Sequence, residues 1–101
     1  MLYQIKASQD QVNVVLSGKV YVEESTVLRE ELLRYIQDGY KHYVIDVRNL
    51  EFIDSSGLGV LVAVQKRALM NGGGITIAGL SGSVKEIFEL TRLTRIFTIQ
   101  P

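Results

Sequence analysis

The sequence has no cysteine and a single histidine, His42, which removes disulfides, thiol catalysis and the usual zinc clusters. A serine hydrolase arrangement would need His42, but that residue follows Lys41 and opens an apparent strand, where a capping or surface role is expected. Neither sign of charge prevails, with 11 Lys and Arg against 11 Asp and Glu. No molecule-wide field therefore exists to hold a nucleic acid or an anionic membrane. Docking on another protein, where local complementarity outweighs total charge, remains open. Long hydrophobic runs are also missing. The longest, from Leu58 to Val64, is interrupted by Gly59 and falls far short of the roughly 20 residues that cross a bilayer. The opening Met-Leu-Tyr-Gln-Ile-Lys lacks the basic, apolar and small-residue succession of a secretory signal. A cytoplasmic protein with no membrane or nucleic-acid partner is expected.

What is present suits a folded domain: 47% hydrophobic residues, 22% charged and one proline in 101 residues. The segments Leu2 to Ala7 and Val12 to Leu16 read as an antiparallel hairpin. From about Ser25 to Asp38 the period changes to that of an amphipathic helix. Leu28, Leu32, Tyr35 and Ile36 share its apolar face, Glu30 stands opposite Arg34 at i, i+4, and Gly39 closes it. Tyr43 to Val47 reads as a central strand covered on both faces.

A second helix runs from about Gly57 to Met70 and stops at Asn71-Gly72-Gly73-Gly74, a cation-then-glycine terminus that requires no ligand. Ile75 to Ala78 reads as a buried strand. Ser83 and Glu86 have capping-box spacing for a third helix carrying Val84, Ile87 and Phe88, and Ile96 to Ile99 forms a last strand. This order implies one α/β domain over residues 1–101: a mixed, mostly parallel sheet of about five strands with about three helices. Val44, Ile45, Leu61, Val64 and Phe88 are expected in its core.

Chemistry concentrates in Asp54-Ser55-Ser56, where a strand passes into the second helix. A helix amino end offers unpaired N–H groups and partial positive charge, so a phosphoryl group on Ser55 would be favoured there. The same residues are ordinary N-caps, and as an isolated motif the capping role outweighs regulation.

The wider sequence resembles the anti-sigma factor antagonists of the STAS type. Their signature, Asp-Ser-[Ser/Thr/Ala]-Gly-[Leu/Ile]-Gly, stands here as Asp54-Ser55-Ser56-Gly57-Leu58-Gly59. Further similarity lies in Leu16-Ser17-Gly18, Val44-Ile45-Asp46, Gly73-Gly74 and Leu90-Thr91-Arg92-Leu93. The resemblance implies that Ser55 is the phosphoacceptor. It also implies an anti-sigma factor serine kinase as partner, bound by the unphosphorylated antagonist and released on phosphorylation, and a serine phosphatase that resets the cycle. Asp54, Ser56, Gly57, Leu58, Lys19 and Tyr21 are the implied partner-binding residues. Many phosphorylated members carry Gly-[Glu/Asp]-[Leu/Ile]-Asp after the second strand, whereas this chain has Gly18-Lys19-Val20-Tyr21. Drift at an exposed edge and a changed partner surface both accommodate that departure. Pro101 leaves little room for the C-terminal helix of many relatives.

Gly57-x-Gly59 invites comparison with a dinucleotide-binding turn, but Val62 occupies the third glycine position and Ala78-Gly79 ends the next strand without an acid for a ribose. With no phosphate-binding loop either, no cofactor, metal or catalytic residue is expected, and the chain is read as a non-enzyme. The alternative to a phosphorylation switch is a constitutive STAS interaction or scaffold module in which Ser55 only caps a helix.

Overall fold

A computed structural model describes residues 2–101. Strands β1 (Leu2–Ser8) and β2 (Gln11–Val20) form the hairpin. They are followed by α1 (Val22–Gln37), β3 (His42–Ile53), α2 (Ser55–Met70), β4 (Gly74–Ala78), α3 (Gly82–Leu90), a 3-10 turn at Leu93–Arg95 and β5 (Thr98–Gln100). The sheet order is β1-β2-β3-β4-β5, with β1 antiparallel to β2 and every other pair parallel. The expected α/β architecture is the one observed.

Each parallel strand is added beside its predecessor in the same direction, so right-handed crossovers carry successive helices to the same face of the sheet. Burial follows that geometry. Val12, Val14 and Leu16 of β2, Tyr43, Ile45 and Val47 of β3, and Ile75 and Ile77 of β4 are buried, while the interleaved Asn13, Val15, Val44, Asp46 and Thr76 are only partly covered. The central strand is thus covered on one face rather than two. Val44 belongs to the partly open face, whereas Ile45, Leu61, Val64 and Phe88 lie in the core as expected. The unbroken run Tyr43-Val44-Ile45 conceals this alternation.

Several boundaries differ from the sequence reading. Helix α1 starts three residues before Ser25 because Tyr21 takes extended backbone geometry and its N–H donates to Glu24 Oε1 at 2.8 Å. Ser25 consequently lies inside the helix. Arg34 pairs with Glu31 at 3.8 Å, not with Glu30. The Ser83–Glu86 box does not form, since α3 begins at Gly82 after Ser81, and Ser83 Oγ instead points to the Glu51 carbonyl at 3.5 Å. The last strand is shortened because Leu93–Arg95 coils into the 3-10 turn. At Gly73 a Cβ would overlap the Lys41 carbonyl, which gives the glycine run a structural cause.

The consequential difference is the length of β3, which continues past Val47 to Ile53. Strand β2 follows it through two register shifts, at Val15/Ser17 and Gly18/Lys19, so that Lys19 pairs with Phe52 and Val20 with Ile53. The ends of both strands are carried to the start of α2.

Candidate functional site

The site is built around Asp54, the N-cap of α2. Its backbone N–H donates to the Val20 carbonyl at 3.1 Å, which fastens the turn to the end of β2. Its carbonyl accepts from Leu58 N–H at 3.0 Å, closing the first turn of the helix. Oδ1 accepts from Gly57 N–H at 3.1 Å and from the Ser56 hydroxyl. These donors, the Ser56 hydroxyl foremost and then Gly57 N–H, hold the Asp54 carboxyl below the usual carboxylate range.

The two serines have different surroundings. Ser56 is partly buried, its proton is given to Asp54, and its oxygen lies 3.3 Å from Ser25 Oγ. Ser25 is only 4% exposed. Its single proton serves the Val22 carbonyl at 2.7 Å or turns toward Ser56. This hydroxyl cluster joins the first turns of α1 and α2. Ser55 is exposed at the first position of α2, and its hydroxyl has no hydrogen-bond partner among the described residues. Any phosphoryl donor would therefore meet a free hydroxyl at Ser55 and an engaged one at Ser56.

The two signature glycines also differ. A Cβ on Gly57 would stand 2.6 Å from Ile53 Cγ1 and 2.9 Å from Val20 Cγ1, so the close approach of α2 to the strand ends requires glycine. A Cβ on Gly59 would meet nothing within 4 Å. Leu58, next to both, is buried in the core and anchors the turn.

Lys19 and Tyr21 are exposed beside this turn, at the end of β2 and the start of α1. The Tyr21 ring packs on Phe52 with centroids 5.4 Å apart. Sequence reasoning missed Ser25 and Phe52. Phe52 carried a legible signal, an aromatic residue directly before the buried Ile53 and the capping Asp54. Ser25 carried none, because its contact with Ser56 spans 31 positions. His42 is exposed at the start of β3 and takes no part in the site. The described residues contain no grouping of three His, Asp or Glu suited to a metal, and no described helix is long and apolar enough to cross a membrane.

The fold that carries this turn recurs in known proteins. A family model for the STAS domain matches residues 3–101. The chain belongs to the STAS domain family. The anti-sigma-B factor antagonist of Bacillus subtilis is 30% identical over 95 residues, covering 94% of this chain and 86% of the relative. The anti-sigma F factor antagonist of Paenibacillus polymyxa is 31% identical over 87 residues, covering 85% and 74%. In fold, this STAS chain matches the Bacillus cell fate determinant SpoIIAA in its phosphorylated form with a TM-score of 0.81, over 99% of this chain and 92% of that one, at 18% identity.

Proposed function

We propose that this chain is an anti-sigma factor antagonist that binds an anti-sigma factor serine kinase, frees a sigma factor, and is switched off by phosphorylation of Ser55. The observation that carries the reading is the contrast within the signature: Ser55 is exposed with an unengaged hydroxyl, while Ser56 is tied to Asp54 and approached by Ser25. The names of the Bacillus and Paenibacillus relatives support the antagonist role. A relative of the same fold is known in a phosphorylated form. The positive end of α2 stabilises a phosphoryl group on its first residue, so the fold tolerates the modification. Asp54, Ser56, Gly57 and Leu58 shape the presenting turn, and Lys19 and Tyr21 border it.

In this reading the protein is a cytoplasmic non-enzyme. The kinase supplies the chemistry, and a serine phosphatase restores the free hydroxyl. Incubation with the anti-sigma kinases of the same genome and ATP, followed by intact-mass measurement and peptide mapping, tests the assignment. One phosphate is expected on wild type and on Ser56→Ala, and none on Ser55→Ala. Phosphate on Ser56 alone, or on neither serine, would contradict it. The second reading, a constitutive STAS scaffold module with Ser55 as a simple helix opener, is favoured by Lys19 and Tyr21 standing where many phosphorylated relatives carry acids. It predicts partner binding without modification.

A further inference from the structure

A cleft of about 580 Å³ lies between the ends of β4 and β5, the side of α3 and Arg48 of β3. Neither Ser55 nor its neighbours in the α2 turn contribute to its walls. Open α/β sheets hold ligands outside the carboxyl ends of their parallel strands, in crevices of about 300–1,000 Å³. The strand order never reverses in this sheet, so the crevice has a different cause. Strand β3 runs on to Ile53, while its pairing with β4 stops at Asp46 and Ala78. Gly79 then turns the chain away at φ +74°, so close to β3 that a Cβ would stand 2.9 Å from Arg48 Cβ and 3.1 Å from Arg48 N. Asp46 Oδ1 accepts from the Arg48 N–H at 2.9 Å. The backbone that carries the Arg48 side chain is therefore held in place.

Unengaged polar groups converge on this cleft. Arg48 and Lys85 both line it, and neither has an ion-pair partner among the described residues. Glu89, one turn beyond Lys85 on α3, lines it as well and pairs with neither cation. The Thr94 hydroxyl and the Gln100 amide complete the polar wall, and Ala78, Leu80 and Ile99 form an apolar one. In a chain whose charges balance overall, these side chains set two cations against one carboxylate. A concave site with an apolar wall and a few convergent polar groups is the usual form of a small-molecule site.

We propose that this cleft binds a small aliphatic carboxylic acid bearing a hydroxyl or ammonium group beside its carboxylate. The Arg48 guanidinium takes the carboxylate with two parallel N–H donors, and the Lys85 ammonium adds a point charge. Glu89 accepts from the hydroxyl or ammonium, and the wall of Ala78, Leu80 and Ile99 covers the aliphatic part. Phosphate is disfavoured on two counts. Glu89 repels a dianion, and the first turn of α3, whose free N–H groups would cradle phosphoryl oxygens, does not line the cleft. The site is independent of the antagonist reading.

The test titrates the full chain with L-leucine, its hydroxy analogue leucic acid, the unsubstituted isocaproic acid and inorganic phosphate, followed by nitrogen–proton correlation NMR. Leucine or leucic acid is expected to shift the amides of Arg48, Gly79, Leu80, Lys85 and Gln100 saturably, with a Kd of about 1 mM or below. Whichever of the two binds more tightly identifies the donor group. Isocaproic acid should bind about tenfold more weakly than that ligand, because it leaves Glu89 unmatched. Arg48→Gln and Lys85→Gln, each shown by thermal melting to be folded, should each weaken binding at least about tenfold. Glu89→Gln should weaken leucine more than leucic acid, since only the ammonium gains from the carboxylate charge. Shifts that fail to saturate, that spread equally to Lys66 and Arg67 of α2, or that persist in Arg48→Gln and Lys85→Gln would overturn the site. Saturable phosphate binding tighter than that of either acid would overturn the assigned ligand class.

Discussion

Replacing Gly57 with alanine sets two opposing effects against each other. Alanine in a helix is favoured over glycine by about 1 kcal/mol, and an exposed site would return that gain. At Gly57 the new methyl would stand 2.6 Å from Ile53 Cγ1, 2.9 Å from Val20 Cγ1 and 3.0 Å from Ile53 Cδ1. Both neighbours are themselves buried, so neither can swing into solvent, and the helix start must lift away from the strand ends. Overpacking of this kind costs about 1–3 kcal/mol. With contacts as short as 2.6 Å the steric cost lies toward the upper end of that range and wins, leaving a net loss of up to about 2 kcal/mol and a fall in melting temperature of about 4–8 °C for each kcal/mol in a domain of this size. Urea denaturation followed by circular dichroism measures it, with an unchanged slope showing that the denatured state is not responsible. Lifting α2 also disturbs the Asp54 cap, so Gly57→Ala should be a poorer phosphoacceptor than wild type even below its melting point. A Gly57→Ala protein as stable as wild type would refute the close approach of α2 to Val20 and Ile53.

Other consequences concern groups that hold the site's scaffold. Gln65, 4% exposed, accepts from Ile75 N–H at 2.7 Å and donates to the Ile96 carbonyl at 2.6 Å. Gln65→Leu strands the buried Ile75 N–H and should cost about 2 kcal/mol in chemical denaturation. The Tyr43 hydroxyl is bonded to the Leu32 carbonyl at 3.2 Å, so Tyr43→Phe should lose about 1 kcal/mol. Burial, with Tyr35 nearby, pushes the Tyr43 phenol well above the usual tyrosine range. Its contribution is therefore complete below the unfolded pKa of about 10 and declines as pH rises beyond it; ultraviolet titration should show Tyr43 ionising only with unfolding. Asp54 behaves in the opposite sense. Its depressed pKa gives stability that is present above the ordinary carboxylate value of about 3.9 and is lost as pH falls below it. The stability difference between wild type and Asp54→Asn should accordingly shrink on acidification.

The legible part of the fold was the part governed by local patterns. Alternation marked the hairpin, a 3.6-residue period marked α1, and the glycine run marked the end of α2, although that helix begins at Ser55, two residues before the expected Gly57. Less legible features depended on residues distant in sequence. The extension of β3 through Arg48-Asn49-Leu50-Glu51 breaks alternation, and it is stabilised by pairing with a shifted β2 that no local window reveals. Helix α1 begins at Val22 because Glu24 reaches back to Tyr21 N–H, whereas Ser25, the stronger cap by residue type, is drawn into the junction with α2. The site divides in the same way. Asp54 and Ser55 stood out from their place at a helix start, but the engagement of Ser56 and the packing of Phe52 on Tyr21 are tertiary facts.

The central claim is that the state of the Ser55 hydroxyl controls docking on an anti-sigma kinase, and a paired affinity measurement tests it most directly. Wild type, its enzymatically phosphorylated form and Ser55→Asp, each confirmed as folded by circular dichroism, are titrated against the same kinase. A coupling of about 3 kcal/mol corresponds to roughly a hundredfold loss of affinity for the phosphorylated form, with Ser55→Asp weakened in the same direction and Ser55→Ala binding as wild type does. Equal affinity for all forms, with no phosphate acquired at Ser55 from kinase and ATP, would contradict the switch.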